Sequence, residues 1–223
     1  MSARATVLGA VREALGRREA AAADPDAVAA EAQALLADLD AIRPALLLPD
    51  PVEAFAERVV LAKVGATLDR TGELAALPGA VARYLGAHGL PLVLALQPDP
   101  ALADLDWTGF TLRDAARPDE AASLGQALWG IAETGSLVFH SGPETAVLGH
   151  FLPLHHIAVL RADRILRHLE DYAAVAGPAP RNLNLITGAS GTTDIEGSYV
   201  RGAHGPRLLH IILVLDRPAP DGS

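Results

Sequence analysis

Short, continuous apolar runs alternate along the chain with segments whose apolar residues recur at helical spacing. The runs at residues 91–96, 155–160 and 208–215 are typical of strands whose two sheet faces are both covered. Helical segments lie between the candidate strands from residue 51 onward. The pattern therefore predicts an α/β fold with a mainly parallel sheet flanked by helices.

The N-terminal part of the chain has helical spacing but no candidate strand. Residues 3–18 predict one helix, and a second runs to about residue 40, with Asp24 as its cap and Pro25 in its first turn. No chemical motif lies here, so a structural brace or an oligomer contact is expected. The predicted organisation is a helical arm, an α/β domain and a loose tail, at residues 1–48, 49–216 and 217–223.

Shorter elements complete the predicted α/β domain. Strands are expected at 66–68 and 182–186, and helices from residue 51 to Gly65, at 78–87 and at 119–128. Asp163 is expected to cap one more helix, whose apolar positions are Ile165, Leu166, Leu169 and Tyr172.

Composition and charge exclude several classes of function. The formal net charge is −9, which argues against nucleic acid and anionic membrane surfaces as partners. No apolar run is long enough for a membrane span and the charged N-terminus does not resemble a signal peptide, so a cytoplasmic location is expected. The chain has 0 cysteines and therefore no thiolate for a metal or cluster. His155 and His156, adjacent in a strand, are expected to face opposite ways.

The stretch from Gly130 to Phe139 has two apolar runs separated by Glu133, Thr134, Gly135 and Ser136, which predict a tight bend. A carboxylate beside a buried strand is costly unless it has a partner. Three interpretations of Glu133 are open: a catalytic acid, base or nucleophile, a fixed partner of backbone N–H groups, or an ion pair with Arg201 or Arg161.

A second candidate stretch follows the predicted strand 182–186. It contains Thr187, Gly188, Ser190, Thr192 and Thr193, followed by Asp194 and Glu196. Strand ends in parallel sheets bind ligands, and a helix start after such a loop would attract anions. The alternative is a capping box formed by Thr193 and Glu196. His204, in a Gly-Ala-His-Gly-Pro turn, is a weaker candidate for ligand contact.

Four motifs lie in order along the chain, at residues 131–138, residues 152–159, residues 186–190 with 193–196, and residues 202–210. Together they resemble the LUD-domain family. The opening helix at 11–16 is also similar to that family, and Ser136 stands where a threonine is expected.

The resemblance implies a fold similar to the NagB/RpiA/CoA-transferase group. It also implies a cytoplasmic system that oxidises L-lactate to pyruvate, in which the partners are iron–sulfur proteins and this chain binds no cofactor of its own. Glu133, Asp194 and Glu196 are the inferred catalytic candidates. The candidates for binding a small carboxylate or phosphorylated ligand are Thr134, Gly135, Ser136, Thr187, Gly188, Ser190, Thr192, Thr193 and His204.

Other functions remain open at this point, and the sequence does not decide whether the chain is an enzyme. A stand-alone enzyme similar to a CoA transferase or a sugar-phosphate isomerase would use Glu133, since Glu133-Thr134-Gly135 fits a Glu-x-Gly context. A regulatory module that binds small anions is the third hypothesis. A single site requires the stretches around Glu133, Asp194 and His204 to meet in space.

Overall fold

The computed structural model describes residues 3–14, 24–38, 43–118, 120–143 and 145–215. The chain divides into two compact units, Met1–Pro44 and Ala45–Ser223. The first unit contains helices α1 (Ala3–Ala14) and α2 (Pro25–Ala37), in which no side chain is buried. The predicted end of the first helix, at residues 15–18, and the predicted tail lie outside the described residues.

The predicted cap of α2 is confirmed. The Asp24 carboxylate accepts a hydrogen bond from the backbone N–H of Asp26 at 3.1 Å, and Pro25 occupies the first turn. The proline has no N–H to leave unpaired at this position, so the helix begins there without cost.

The second unit contains four further α-helices and twelve strands among its described residues. The helices are α3 (Pro51–Val60), α4 (Leu77–Ala87), α5 (Pro100–Ala103) and α6 (Tyr172–Val175). The strands are β1 (Thr67–Thr71), β2 (Val93–Leu96), β3 (Thr111–Arg113), β4 (Ala122–Gln126), β5 (Trp129–Ile131), β6 (Ser136–His140), β7 (His155–Arg161), β8 (Ile165–Leu166), β9 (Leu183–Ile186), β10 (Gly191–Thr193), β11 (Tyr199–Arg201) and β12 (Leu208–Val214).

The main sheet has six strands in the order β1-β12-β7-β4-β2-β3, and every pair in it is parallel. Side chains of β7 alternate between two cores, since Ile157 and Val159 belong to one cluster and Ala158 and Leu160 to the other. Helix α4 covers the first face, whereas α3 and the second sheet cover the other. The predicted α/β fold with a mainly parallel sheet is confirmed.

A second sheet has four strands in the order β8-β5-β6-β9. Strands β5 and β6 pair antiparallel, with Ile131 opposite Ser136. Gly135 closes the turn between them with a φ of +73°, a conformation that L-residues with a side chain rarely adopt. The tight bend expected between the two apolar runs is confirmed.

The predicted helix at 119–128 is wrong, because Ala122–Gln126 forms strand β4. This strand lies between β7 and β2 in the sheet, and its first four residues are buried. Alanine and glutamine favour helix in isolation, but hydrogen bonds to two neighbouring strands and burial on both faces outweigh that preference.

The predicted helix after Asp163 is also wrong. Its expected apolar positions are divided among β8, a 3-10 turn at Leu169–Asp171 and the short helix α6. Strand β8 pairs with β5, which holds the chain extended where the helix was expected. The Asp163 carboxylate caps no helix and accepts a hydrogen bond from Arg161 at 3.4 Å.

Candidate functional site

A cavity of about 310 Å³ lies in the second unit, beside the segment that follows β9. Its wall includes the start of β7 and β12, the end of β9 and the turn containing His204. The lining residues are His150, Phe151, His156, Leu185, Ile186, Thr187, Gly188, Ala189, Ser190, Gly191, His204, Gly205, Pro206 and Leu209. Thr187, Gly188, Ser190 and His204, four of the predicted ligand-binding residues, therefore line one cavity.

The cavity does not lie where the strand-end rule places it. Strand β9 pairs antiparallel with β6 in the second sheet, so its end is not a carboxyl end of the parallel sheet. The loop lies instead near His156 and Leu209, the second residues of β7 and β12, and therefore near the amino ends of these parallel strands. A sequence pattern alone does not show which sheet a strand joins.

The expected helix start after this loop is wrong, and so is the capping box. Residues Gly191–Thr193 and Tyr199–Arg201 form the antiparallel hairpin β10–β11. The Asp194 carboxylate accepts hydrogen bonds from the backbone N–H groups of Glu196 and Ser198, at 2.9 and 2.8 Å. Asp194 thus stabilises the turn of the hairpin, while Glu196 is exposed. Neither acidic residue lines the cavity, and Thr192 and Thr193 lie in β10 outside it.

Close backbone packing fixes the loop at the cavity wall. Gly188 has a φ of +78°, and a Cβ there would lie 1.9 Å from the carbonyl oxygen of Val64. The backbone N–H of Ser190 donates to the carbonyl of Pro206 at 2.9 Å, and Gly202 donates to the carbonyl of Ser190 at 2.9 Å. These contacts hold the loop and the His204 turn together.

Hydroxyl groups connect the first candidate stretch to the loop. Ser136 Oγ lies 2.7 Å from Thr134 Oγ1 and 2.6 Å from Thr187 Oγ1, so the three side chains form a hydrogen-bonded chain. The Gly135 backbone packs against α3, where a Cβ would lie 2.9 Å from Arg58 Cγ. Of these residues only Thr187 lines the cavity.

Glu133 forms hydrogen bonds with backbone groups through its side chain and its own N–H. Its Oε1 accepts a hydrogen bond from the backbone N–H of Leu169 at 2.7 Å, and its own N–H donates to the carbonyl of Arg167 at 3.1 Å. This arrangement favours the interpretation of Glu133 as a fixed partner of backbone N–H groups. Glu133 does not line the cavity. The catalytic roles of Glu133, Asp194 and Glu196 stay predictions.

A pair of buried histidines in the cavity wall was not predicted from the sequence. His150 Nδ1 and His156 Nε2 lie 3.2 Å apart, and the two residues are only 3% and 1% exposed. Burial lowers the pKa of His150 to about 4. Burial, and secondarily the neighbouring His150, lowers the pKa of His156 to about 3. Both rings are therefore neutral at pH 7. The position of His156 inside an apolar run was the one feature of the sequence that indicated a buried histidine.

His155 lies on the opposite face of the sheet, as the alternation along a strand predicts. Its Nδ1 lies 2.9 Å from the Tyr84 hydroxyl, and the Tyr84 ring stacks on His210 with centroids 4.1 Å apart. His210 Nδ1 is hydrogen-bonded to Thr67 Oγ1 at 2.8 Å. No group of three His, Cys, Asp or Glu side chains within the described ranges is arranged to hold a metal ion.

A much smaller cavity of about 30 Å³ lies at the carboxyl ends of β2 and β4. Gln97, Gly125 and His150 are among its lining residues. The side chain of Gln97 donates to Thr145 Oγ1 at 3.1 Å and accepts from the backbone N–H of Gln126 at 2.9 Å. This space suits a water molecule and not a metabolite.

Comparison with known proteins identifies the family. The family model described as "LUD domain" matches residues 119–214, which include every residue lining the larger cavity. A "Lactate utilization protein C" of Deinococcus radiodurans is 35% identical over 151 residues, 63% of this chain and 69% of that protein. The chain belongs to the LUD-domain family. The family expectation from the four motifs is thereby confirmed.

Two further comparisons agree with this LUD-domain assignment. A "Lactate utilization protein C" of Geobacillus kaustophilus is 31% identical over 170 residues, 64% of this chain and 70% of that protein. The crystal structure of a DUF162 family protein from Deinococcus radiodurans matches with a TM-score of 0.52 and 25% sequence identity. That match covers 74% of this chain and 96% of the other. In the part of the LUD-domain chain that the structure describes, no helix is both long and apolar enough to cross a membrane.

Proposed function

We propose that this chain works in lactate utilisation, as the non-redox subunit of a system that oxidises L-lactate to pyruvate with iron–sulfur partner proteins. Two relatives that cover about two thirds of the chain carry the name "Lactate utilization protein C". With 0 cysteines, the chain offers no thiolate for an iron–sulfur cluster. The two electrons released by lactate therefore pass to clusters held by the partners.

The observation that carries the proposal is the cavity lined by Thr187, Gly188, Ser190 and His204. Its volume of about 310 Å³ is within the range of ligand pockets and is more than large enough for a molecule the size of lactate. Among the described residues that line it there is no Lys, Arg, Asp or Glu. A ligand there is held by hydroxyls, histidines and backbone N–H groups, a set that binds a small carboxylate through hydrogen bonds.

Growth and binding together test the proposal. Deletion of the gene, with no second copy present, is expected to abolish growth on L-lactate as sole carbon source while growth on glucose continues. In a thermal-shift assay, L-lactate at 100 times its dissociation constant is expected to stabilise the protein by about 2.7 kcal/mol. Normal growth of the deletion strain on L-lactate would contradict the proposal.

The same assays, with mass spectrometry added, distinguish the alternatives. Stabilisation by a phosphate ester or nucleotide but not by lactate or pyruvate, with unimpaired growth on lactate, would indicate a regulatory module. A covalent thioester at Glu133 after incubation with acyl-CoA would indicate a CoA-transferase-like enzyme. The hydrogen bond from the Leu169 N–H to Glu133 Oε1 argues against a free nucleophile at that position.

A further inference from the structure

The larger cavity opens to solvent beside the β10–β11 hairpin. Thr187, Gly191 and His204 line the cavity, and all three residues are exposed. Cavities of about 300 Å³ and more hold ligands of drug size, whereas L-lactate is much smaller. The volume of about 310 Å³ therefore has room for a molecule with a further group, and the side chains at the opening determine the chemistry of that group.

Two side chains of β11 stand at this opening. Tyr199 and Arg201 alternate with Val200 and therefore share one face of the hairpin. Arg201 lies directly opposite Gly191 in the antiparallel pair, at a Cα–Cα separation of about 5 Å. The Tyr199 hydroxyl covers Gly191, where an added Cβ would overlap it. A glycine at this position of the cavity wall therefore leaves room for the phenol ring.

The Arg201 guanidinium reaches the segment that packs on the cavity loop. Its Nη2 lies 2.8 Å from the position that a Cβ of Gly65 would take. Gly65 follows Val64, whose carbonyl oxygen packs against Gly188 of the cavity wall. Lys63 precedes Val64 and is exposed. Two cationic residues therefore flank the segment that holds the cavity loop in place.

These two cations have no counter-charge in the part of the chain that the structure describes. The side chains of Arg201 and Lys63 form no hydrogen bond or ion pair with a described residue, and neither does the Tyr199 hydroxyl. Arg70 and Arg113, by contrast, each pair with a glutamate. The chain has 27 acidic and 18 basic residues, so carboxylates are abundant. Cations left unpaired at a cavity opening are available to an anion from outside the chain.

We propose that this cavity also binds a small carboxylate that carries a phosphate ester, with Arg201, Lys63 and the Tyr199 hydroxyl holding the phosphate at the opening. The planar guanidinium of Arg201 matches two phosphate oxygens. A phosphate with a charge of about −1.5 to −2 gains more from two cations than a carboxylate does. This inference rests on the proposed function and adds a regulator to it, because the phosphorylated acid excludes L-lactate from the same cavity.

Calorimetric titration of the full chain tests the proposal, with phospholactate (L-lactate phosphorylated on its hydroxyl), L-lactate and inorganic phosphate as probes. Arg201→Gln removes the charge and keeps an amide donor at an exposed position. Arg181→Gln is the matched control, because Arg181 is also exposed and has no ion pair with a described residue. Strand β9, about 13 Å long, separates Arg181 from Thr187 of the cavity wall.

We expect wild type to bind phospholactate about tenfold more tightly than L-lactate or inorganic phosphate, and to bind phospholactate and L-lactate in competition. Arg201→Gln is expected to lose about tenfold in affinity for phospholactate, and with it the preference over L-lactate. Arg181→Gln is expected to keep both. Equal phospholactate affinity in Arg201→Gln and wild type would overturn the proposal. Inorganic phosphate that binds as tightly as the ester, without displacing L-lactate, would overturn the assignment of a phosphate ester.

Ionic strength gives a second measurement, made on wild type alone. Raising the salt concentration from about 0.05 M to about 0.5 M is expected to weaken phospholactate binding about threefold more than L-lactate binding, because exposed cations are screened. Equal salt dependence of the two affinities would overturn the proposal. Phospholactate binding without L-lactate binding would support the phosphate site and overturn its role as a competitor of lactate. Growth of the deletion strain on L-lactate tests the proposed function separately.

Discussion

Replacing Gly188 with alanine tests whether close backbone packing positions the cavity loop. An added Cβ would lie 1.9 Å from the carbonyl oxygen of Val64, a distance that no real Cβ contact reaches. Neither atom belongs to a flexible side chain, so the loop itself must move away. The φ of +78° adds a conformational cost of about 1–2 kcal/mol for any L-residue with a side chain.

Gly197→Ala is the matched control for this substitution. Gly197 has a φ of +84°, yet a Cβ there meets nothing within 4 Å. The control substitution is therefore expected to lower the free energy of unfolding by the conformational cost alone, about 1–2 kcal/mol. Gly188→Ala is expected to lower the free energy of unfolding by about 2–4 kcal/mol, because steric overlap adds to that cost.

Urea unfolding followed by circular dichroism gives both free energies, and a lactate titration shows whether the cavity survives. We expect Gly188→Ala to lose lactate binding and Gly197→Ala to retain it, since only Gly188 lines the cavity. Equal unfolding free energies for the two variants would refute the argument from close packing at Val64. Wild-type lactate affinity in Gly188→Ala would refute the assignment of this loop to the site.

Three other predictions follow from buried groups. Burial lowers the pKa values of His150, His156 and His210 to about 4, 3 and 4, below the unfolded value of 6.5, so the unfolded chain takes up more protons in acid. The contribution of these three histidines to the free energy of unfolding should be constant above pH 6.5. Below that pH it should fall by about 1.4 kcal/mol per pH unit for each histidine, or about 4 kcal/mol per unit together, toward pH 4. Equal urea midpoints at pH 7.5 and 5.5 would contradict this. In Gly125→Ala the new Cβ would lie 3.0 Å from Gln97 Oε1 and 3.2 Å from His150 Cε1, so crowding of these two side chains should cost about 1–3 kcal/mol in urea unfolding. An unchanged free energy of unfolding would contradict this. Glu133→Ala removes the acceptor of an exposed backbone N–H and should cost about 0.5–1.5 kcal/mol in urea unfolding without changing lactate affinity. A lost lactate affinity would support a role of Glu133 at the ligand.

The main sheet was largely predictable because its central strands are continuous apolar runs. Strands β2, β7 and β12 were predicted from such runs, and the parallel arrangement followed from the helices between candidate strands. Strand β4 was missed because Ala122–Gln126 contains no β-branched residue. Its state depends on hydrogen bonds to two strands that are distant in sequence, which local propensity does not contain.

The candidate site was predictable only where local residue types indicate it. Glycine and hydroxyl residues pointed to Thr187, Gly188 and Ser190, which line the cavity together with His204. The histidine pair was not predictable, because His150 and His156 come together only after the turn at Val147–His150 folds over the sheet. The sequence pattern tests adjacent histidines as metal ligands, and a pair of histidines without a third ligand does not predict a metal site.

Growth on L-lactate tests the central claim most directly, with the deletion strain complemented by the wild-type gene or left uncomplemented. We predict that the wild-type gene restores growth on L-lactate as sole carbon source, that the uncomplemented strain does not grow on it, and that both strains grow equally on glucose. Undiminished growth of the uncomplemented deletion strain on L-lactate would contradict the role in lactate utilisation.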